Sequence, residues 1–211
     1  MTNNTHCIQG VLFDFDGTLT RPGALNFPMI KKQLGCPVDQ PILEFIGAMT
    51  DRHQQKAARA QLDKFEIQAA RQSHPNIGAV DLIHWIKQQH LRIGIITRNS
   101  RTSVLAALEN FDGIGLDTFD VLVSRDDPVA PKPSPEGIHL AAQTLQLKSR
   151  HLLMVGDYIF DCQAGQAAGA QTVLLDPHDD PRLQGAICDY RVGHLNEVKK
   201  IVAKLNAAKQ H

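Results

Sequence analysis

The sequence has no excess of charge of either sign. Its 211 residues contain 22 lysines and arginines and 22 aspartates and glutamates, so the formal net charge is zero. Proteins that coat nucleic acids or lie on anionic membranes need basic residues in excess. The balance therefore argues against both kinds of partner. It leaves small phosphorylated ligands open, because they need only local positive charge.

The sequence also lacks a long apolar run and a targeting signal. No run approaches the roughly 18 apolar residues that a membrane-spanning helix requires. The polar start, Met1 to His6, has neither the basic nor the apolar segment of a signal peptide. We therefore expect a cytoplasmic protein with no membrane partner.

Paired cysteine motifs are absent as well. The four cysteines are widely scattered, without CxxC spacing, which argues against a zinc site and against a disulfide framework. They are Cys7, Cys36, Cys162 and Cys188. We predict buried free thiols.

Short apolar runs alternate with helical patterns along most of the chain. The predicted strands cover residues 8–16, 91–97, 121–123, 152–155 and 172–175. The predicted helices cover residues 80–89, 102–111, 134–145 and 194–207. This alternation is typical of a doubly wound parallel sheet, so the sequence predicts a Rossmann-like α/β core.

One stretch, from about residue 28 to residue 74, interrupts this alternation because it contains no convincing strand. Ala58, Leu62, Phe65 and Ala69 fall at helical spacing with polar residues between them, which predicts an amphipathic helix. Shorter helices are predicted over 29–34 and 40–48. The sequence therefore predicts a small all-helical domain, residues 24–75, inserted after the first strand of a core formed by residues 1–23 and 76–211.

Two aspartates, Asp14 and Asp16, end the first predicted strand, and Gly17 permits a sharp turn after them. Residues two apart on a strand point to the same side, and open α/β sheets bind ligands at the carboxyl ends of their strands. Two close carboxylates repel unless a cation lies between them or one is protonated. Oxygen-rich sites of this kind suit Mg²⁺. A strand-end turn with solvated acids is the alternative.

Polar residues also follow the other predicted strands. Thr97 ends the second strand, Lys132 lies in a loop with three prolines, and Asp157 and Asp161 follow the fourth strand. Taken singly, Thr97 is explained as a helix cap and Lys132 as a surface lysine. Their joint occurrence at successive strand ends instead predicts one shared site.

The sequence resembles the haloacid dehalogenase superfamily of phosphohydrolases over nearly its whole length. The four motifs of the family are matched in order by Asp14-Phe15-Asp16-Gly17-Thr18-Leu19-Thr20, by Thr97, by Lys132 and by Gly156-Asp157 with Asp161. The helical domain after the first motif resembles the family's small helical cap. The subgroup most similar is the phosphoglycolate-phosphatase-like one.

The resemblance implies that Asp14 is a nucleophile that forms an aspartyl-phosphate, and that Asp16 is the general acid and base. An acid at position 16 suits phosphate esters, and relatives that cleave carbon–halogen bonds lack it. The resemblance also implies that Thr97 and Arg98 bind the phosphate, Arg98 through its backbone amide, and that Lys132 neutralises developing charge.

The implied cofactor is Mg²⁺, bound by Asp14, by Asp157 and by the backbone carbonyl of Asp16. Asp161 would orient Lys132 or the water molecules on the metal. The predicted function is a Mg²⁺-dependent phosphatase for a small phosphorylated metabolite, with no nucleic-acid partner. Two alternatives are a phosphomutase acting on a sugar phosphate and a phospho-accepting signalling module of the receiver type. Receivers, however, lack a helical cap and phosphorylate a mid-chain aspartate.

Overall fold

The apolar runs form a parallel sheet in the computed structural model, which describes residues 7–207. The six strands are β1 (Gly10–Phe13), β2 (Arg92–Ile96), β3 (Val121–Val123), β4 (Leu152–Gly156), β5 (Gln171–Leu175) and β6 (Tyr190–Val192). Their order across the sheet is β3-β2-β1-β4-β5-β6, with every pairing parallel. The start of the chain, Met1 to His6, on which the expectation about targeting rests, lies outside the described residues.

The described residues form eight helices, of which the last five cover both faces of this sheet. They are α1 (Phe27–Leu34), α2 (Ile42–Gly47), α3 (Arg52–Gln72), α4 (Ala79–Gln88), α5 (Arg101–Leu108), α6 (Glu136–Thr144), α7 (Ile159–Ala168) and α8 (Glu197–Ala207). Among the described residues, no helix combines the length and the apolar composition that crossing a bilayer requires.

Alternate residues of the central strand divide the core into two layers. Val11 and Phe13 pack with apolar residues of α4, α5 and α8 on one face of the sheet. Leu12, between them, packs with residues of α6 and α7 on the other face. This arrangement confirms the predicted doubly wound α/β fold.

Helices α1 to α3, the helical insertion, have an apolar cluster of their own. Its buried members include Ile30, Ile42, Ile46 and Leu62. The bridge between Thr20 and Pro75 brings the two ends of the insertion together beside β1. The exact domain boundaries at residues 24 and 75 stay a prediction.

The structure corrects several local predictions. Helix α5 ends at Leu108 and not at residue 111, and α8 begins at Glu197 and not at residue 194. The first strand ends at Phe13 and not at Asp16, because the chain enters a tight turn over Phe15–Leu19. No predicted strand covers β6, an edge strand of three residues. Helix α6 begins at Glu136 and not at Ser134, with Pro135 in the capping position and no side-chain cap. The four cysteines are free, but only Cys36 and Cys162 are buried, while Cys7 and Cys188 are half-buried.

Candidate active site

The site lies where the direction of the strand order reverses. From β1 the chain proceeds to β2 and β3 on one side, and then crosses to β4, β5 and β6 on the other. In such sheets the carboxyl ends of the two strands at the reversal border a crevice. Asp14 directly follows β1, and Asp157 directly follows β4. The topology therefore brings together two aspartates that are far apart in the sequence.

The turn after β1 depends on glycine. Gly17 has a φ of 81°, a left-handed conformation that residues with a β-carbon rarely adopt. A β-carbon at Gly17 would also collide with the carboxylate of Asp157. The Asn76 side chain donates hydrogen bonds to the carbonyls of Gly17 and Thr18, at 3.1 and 3.0 Å. The segment that re-enters the core directly after the helical insertion therefore fixes this turn.

Three carboxylates form a compact cluster. Oxygens of Asp14, Asp157 and Asp161 all lie within 4.8 Å of one another. Asp161 approaches so closely that a β-carbon on Gly156 would collide with it. The Thr18 hydroxyl donates to Asp157 at 3.3 Å. The first turn of α7 thus directs Asp161 back toward the strand ends.

Lys132 is the cation of this cluster. Its ammonium nitrogen donates to Asp14 at 2.5 Å and to Asp161 at 2.6 Å, and only 4% of its side chain is exposed. Burial lowers the pKa of Lys132, but the charges of Asp14 and Asp161 outweigh burial, so the net shift is upward. The proline-rich loop therefore directs its lysine into the protein and not into solvent.

The cluster keeps an excess of negative charge. Burial and the charges of Asp14 and Asp161 raise the pKa of Asp157 well above its usual range. Burial likewise raises the pKa of Asp161 to about 6, although Lys132 opposes that shift. Three carboxylates facing one lysine form a donor set that fits a divalent cation with a preference for oxygen ligands. A cation there would relieve the repulsion that these raised pKa values reflect.

Asp16 lies apart from this cluster. Its carboxylate accepts hydrogen bonds from the Asn99 amide at 2.5 Å and from the Thr20 hydroxyl at 3.3 Å. Burial raises its pKa to about 6, even though the bond from Asn99 acts in the opposite direction. A carboxyl group with this pKa can both donate and accept a proton near neutral pH. Asn99 has no predicted role, and the signal that could have identified it is its position two residues after Thr97.

Thr97 and Arg98 follow β2, and their side chains point to different partners. The Thr97 hydroxyl accepts a hydrogen bond from the backbone amide of Asn99 at 3.1 Å. The Arg98 guanidinium pairs with Glu44 of α2 at 2.6 Å, donates to the Lys132 carbonyl and lies 5.2 Å from the ring centre of Phe160. Its side chain is thus engaged with the helical insertion. The phosphate-binding roles of both residues stay predictions.

The sequence matches a known family over most of its length. Residues 11–175 match the haloacid dehalogenase-like hydrolases, a span that includes all four motifs. An uncharacterised hydrolase of Saccharomyces cerevisiae is 30% identical over 204 residues, which cover 94% of this chain and 93% of the yeast protein.

Two further proteins are similar over almost their whole length. Pyrophosphatase PpaX of Bacillus mycoides is 27% identical, with 94% of this chain and 99% of that protein covered. The crystal structure of the haloacid dehalogenase hydrolase YfnB from Bacillus subtilis, bound to magnesium, superposes with a TM-score of 0.67 at 20% identity, covering 92% and 98% of the two chains. The chain therefore belongs to the haloacid dehalogenase-like hydrolases.

Proposed function

We propose that this enzyme is a Mg²⁺-dependent phosphatase that hydrolyses a small phosphorylated metabolite through an aspartyl-phosphate intermediate. The observation that carries the proposal is the position of Lys132, 2.5 Å from Asp14 and 2.6 Å from Asp161 in an otherwise acidic crevice. A phosphate dianion can approach a carboxylate nucleophile only where positive charge offsets the repulsion between them. Lys132 supplies part of that charge.

In the first step, a carboxylate oxygen of Asp14 attacks phosphorus, and the bond from phosphorus to the leaving oxygen breaks. Asp16 donates its proton to that leaving oxygen, and its pKa of about 6 keeps a fraction of the enzyme protonated near neutral pH. The Thr97 hydroxyl donates a hydrogen bond to the phosphoryl group. Lys132 offsets the charge that accumulates on the phosphoryl oxygens.

In the second step, Asp16 acts as the base. Its carboxylate accepts a proton from a water molecule, whose oxygen attacks the phosphorus of the aspartyl-phosphate. The bond between phosphorus and the Asp14 oxygen breaks, so inorganic phosphate leaves and the Asp14 carboxylate is restored. Asn99, which donates to Asp16 at 2.5 Å, keeps that carboxylate in place for both steps.

Mg²⁺ is the cofactor that the donor set favours. Asp14, Asp157 and the backbone carbonyl of Asp16 would hold it, and Asp161 would orient Lys132. The bound ion supplies charge neutralisation for the phosphoryl group. A relative with the same fold, YfnB, binds magnesium, which supports the choice of ion.

The size of the neighbouring cleft supports a small substrate. A cleft of about 690 Å³ has Thr97 and Lys132 in its lining, together with Leu43 and Arg59 of the helical insertion. Pockets of this size hold ligands of metabolite dimensions. The similar pyrophosphatase PpaX, named for a small phosphorylated substrate, agrees with this substrate class.

Phosphate release from an aryl phosphate and from a panel of metabolite phosphates tests the proposal. We expect release with Mg²⁺, no release in excess chelator and none from Asp14→Asn. Full activity of Asp14→Asn, or of the wild type in chelator, would refute the mechanism. Isomerisation of a sugar phosphate without net phosphate release would identify a mutase. A phosphorylated protein that does not turn over would instead identify a signalling module.

A further inference from the structure

A buried ion-pair network lies outside the carboxylate cluster. Arg125 follows β3 by two residues, and only 6% of its side chain is exposed. Its guanidinium lies 2.5 Å from Glu66 of α3, whose side chain is 4% exposed, and it also donates to Asp63 one turn earlier on the same helix. We call Arg125, Glu66 and Asp63 the Arg125 network. It joins the core to the helical insertion.

This network binds the backbone of the loop that follows β2, residues 97–100. The backbone amide of Arg125 donates to the Asn99 carbonyl at 2.9 Å. The Arg125 guanidinium donates to the Arg98 carbonyl at 3.2 Å. The Ser100 amide donates to the Glu66 carboxylate, also at 3.2 Å. Three consecutive residues of one loop are therefore held from both sides: Arg98 and Asn99 by Arg125 of the core, through its side chain and its backbone amide, and Ser100 by the side chain of Glu66 of the insertion.

The same loop carries two groups of the proposed mechanism. Thr97 begins it, and Asn99, in its middle, donates to Asp16. Burying the charged side chains of Arg125 and Glu66 requires desolvation, and apolar residues of similar size often stabilise a protein at least as well as a buried ion pair does. Global stability is therefore a weak explanation for this network. The hydrogen bonds from the network to the loop backbone indicate a more specific role, which is to hold the loop in place.

We propose that Arg125 and Glu66 are positioning residues that hold the loop of residues 97–100, and through it Thr97 and Asn99, in the geometry that binds the phosphoryl group. This role rests on the proposed function. Neither side chain makes a hydrogen bond or ion pair with Asp14, Asp16 or Lys132 within residues 7–207, and both are bonded to the loop. The negative charge of Glu66 also contributes to the raised pKa of Asp16, so only Arg125 tests the positioning role alone. Glu66 lies on α3, so the helical insertion completes the site and does not only cover it.

Arg125→Met tests this role, and Arg191→Met is its matched control. Arg191 also pairs with a buried carboxylate, that of Asp176 at 2.7 Å, but on the β5–β6 side of the sheet. We expect Arg125→Met to weaken the binding of inorganic phosphate in the presence of Mg²⁺, and to lower kcat/KM, by about 10- to 100-fold, because small displacements of positioning groups have effects of this size. Amide exchange in peptides covering residues 97–100 should accelerate at least about tenfold, as lost hydrogen bonds expose the loop.

A purely structural role would produce a different pattern. Arg125→Met would then lower the melting temperature and the active fraction, as Arg191→Met does, but would leave KM, phosphate affinity and exchange at residues 97–100 unchanged. That result would overturn the proposal. Arg125→Lys retains the charge but not the forked donor geometry. We therefore expect it to restore part of the phosphate affinity, and equal losses in Arg125→Lys and Arg125→Met would count against the proposal.

Two outcomes need separate treatment. If Arg125→Met does not fold, Glu66→Gln replaces it, because glutamine keeps the shape of the side chain but has only one oxygen to accept from both Arg125 and Ser100. Unchanged exchange at residues 97–100 and unchanged phosphate affinity in Glu66→Gln would overturn the proposal.

If the wild type neither hydrolyses nor binds phosphate, the proposed function fails. Exchange at residues 97–100 in Arg125→Met, compared with Arg191→Met, still decides whether the network holds the loop.

Discussion

Replacing Lys132 by methionine separates catalysis from metal binding within a single variant. Methionine keeps most of the apolar stem of lysine and removes only the ammonium group. That group is the shared hydrogen-bond donor of Asp14 and Asp161, at 2.5 and 2.6 Å. In Lys132→Met, the three clustered carboxylates lose the lysine that pairs with two of them.

The structure sets the expected magnitudes. Removing one preorganised charged donor from a site of developing negative charge costs about 10²- to 10³-fold in kcat, or roughly 2.7–4 kcal/mol. Removing one partner of a buried ion pair costs about 3–5 kcal/mol of folding stability. Protonation of one carboxylate offsets part of that cost, since the pKa values of Asp157 and Asp161 are already raised in the presence of Lys132.

The affinity for Mg²⁺ should move in the opposite direction. A lysine and a divalent cation that share the Asp14 carboxylate would repel each other by about 1–2 kcal/mol even at the dielectric constant of water. Loss of Lys132 should therefore tighten Mg²⁺ binding by about tenfold while kcat falls. Calorimetry with Mg²⁺ measures the first quantity and phosphate release from an aryl phosphate the second. Weaker Mg²⁺ binding in a folded Lys132→Met protein, or a loss in kcat below tenfold, would refute this account of the lysine.

Three further predictions concern other residues of the site. Asp14→Asn should lower phosphate release by at least about 10⁴-fold without loss of the fold, measured by turnover and circular dichroism. The protonated fraction of Asp16 decreases as the pH rises through its pKa of about 6. We therefore expect kcat/KM to fall above pH 6 for an alkyl phosphate, and much less for an aryl phosphate, whose leaving group needs no proton. Identical pH profiles for the two substrates would contradict this. Gly17→Ala should cost about 1–3 kcal/mol and weaken Mg²⁺ binding, because its methyl group would displace the Asp157 carboxylate; unchanged melting temperature and Mg²⁺ affinity would count against it.

The sequence predicts the sheet well because most strands are continuous apolar runs. Strands β2 to β5 are buried at nearly every residue, so local composition identifies them. Strand β6 cannot be identified in this way, because its three residues are half-buried, exposed and buried in turn, as an edge position permits. The end of β1 is mispredicted because Phe15 continues the apolar alternation, although the turn over Phe15–Leu19 has already begun there.

From the sequence, a site residue can be predicted only where it follows a predicted strand. Asp14, Thr97, Lys132 and Asp157 each occupy a recognisable position after a strand, and their order along the chain carries the resemblance. The contact between Asn99 and Asp16 depends on two loops that are 83 residues apart, which no local pattern records. The pairing of Arg98 with Glu44 is equally a tertiary contact, between the core and the helical insertion.

The chain as a whole is neutral and its site is acidic, because the fold decides which charged residues become neighbours. A parallel sheet directs the carboxyl ends of all its strands to one edge, so residues that are isolated along the sequence become neighbours there. Three of the 22 acidic residues converge on that edge with one of the 22 basic residues. Elsewhere, Arg125 and Arg191 are paired with carboxylates of their own and cannot compensate this excess. The fold therefore concentrates negative charge at the crevice, and a divalent cation or a proton must balance it before a phosphate dianion can enter.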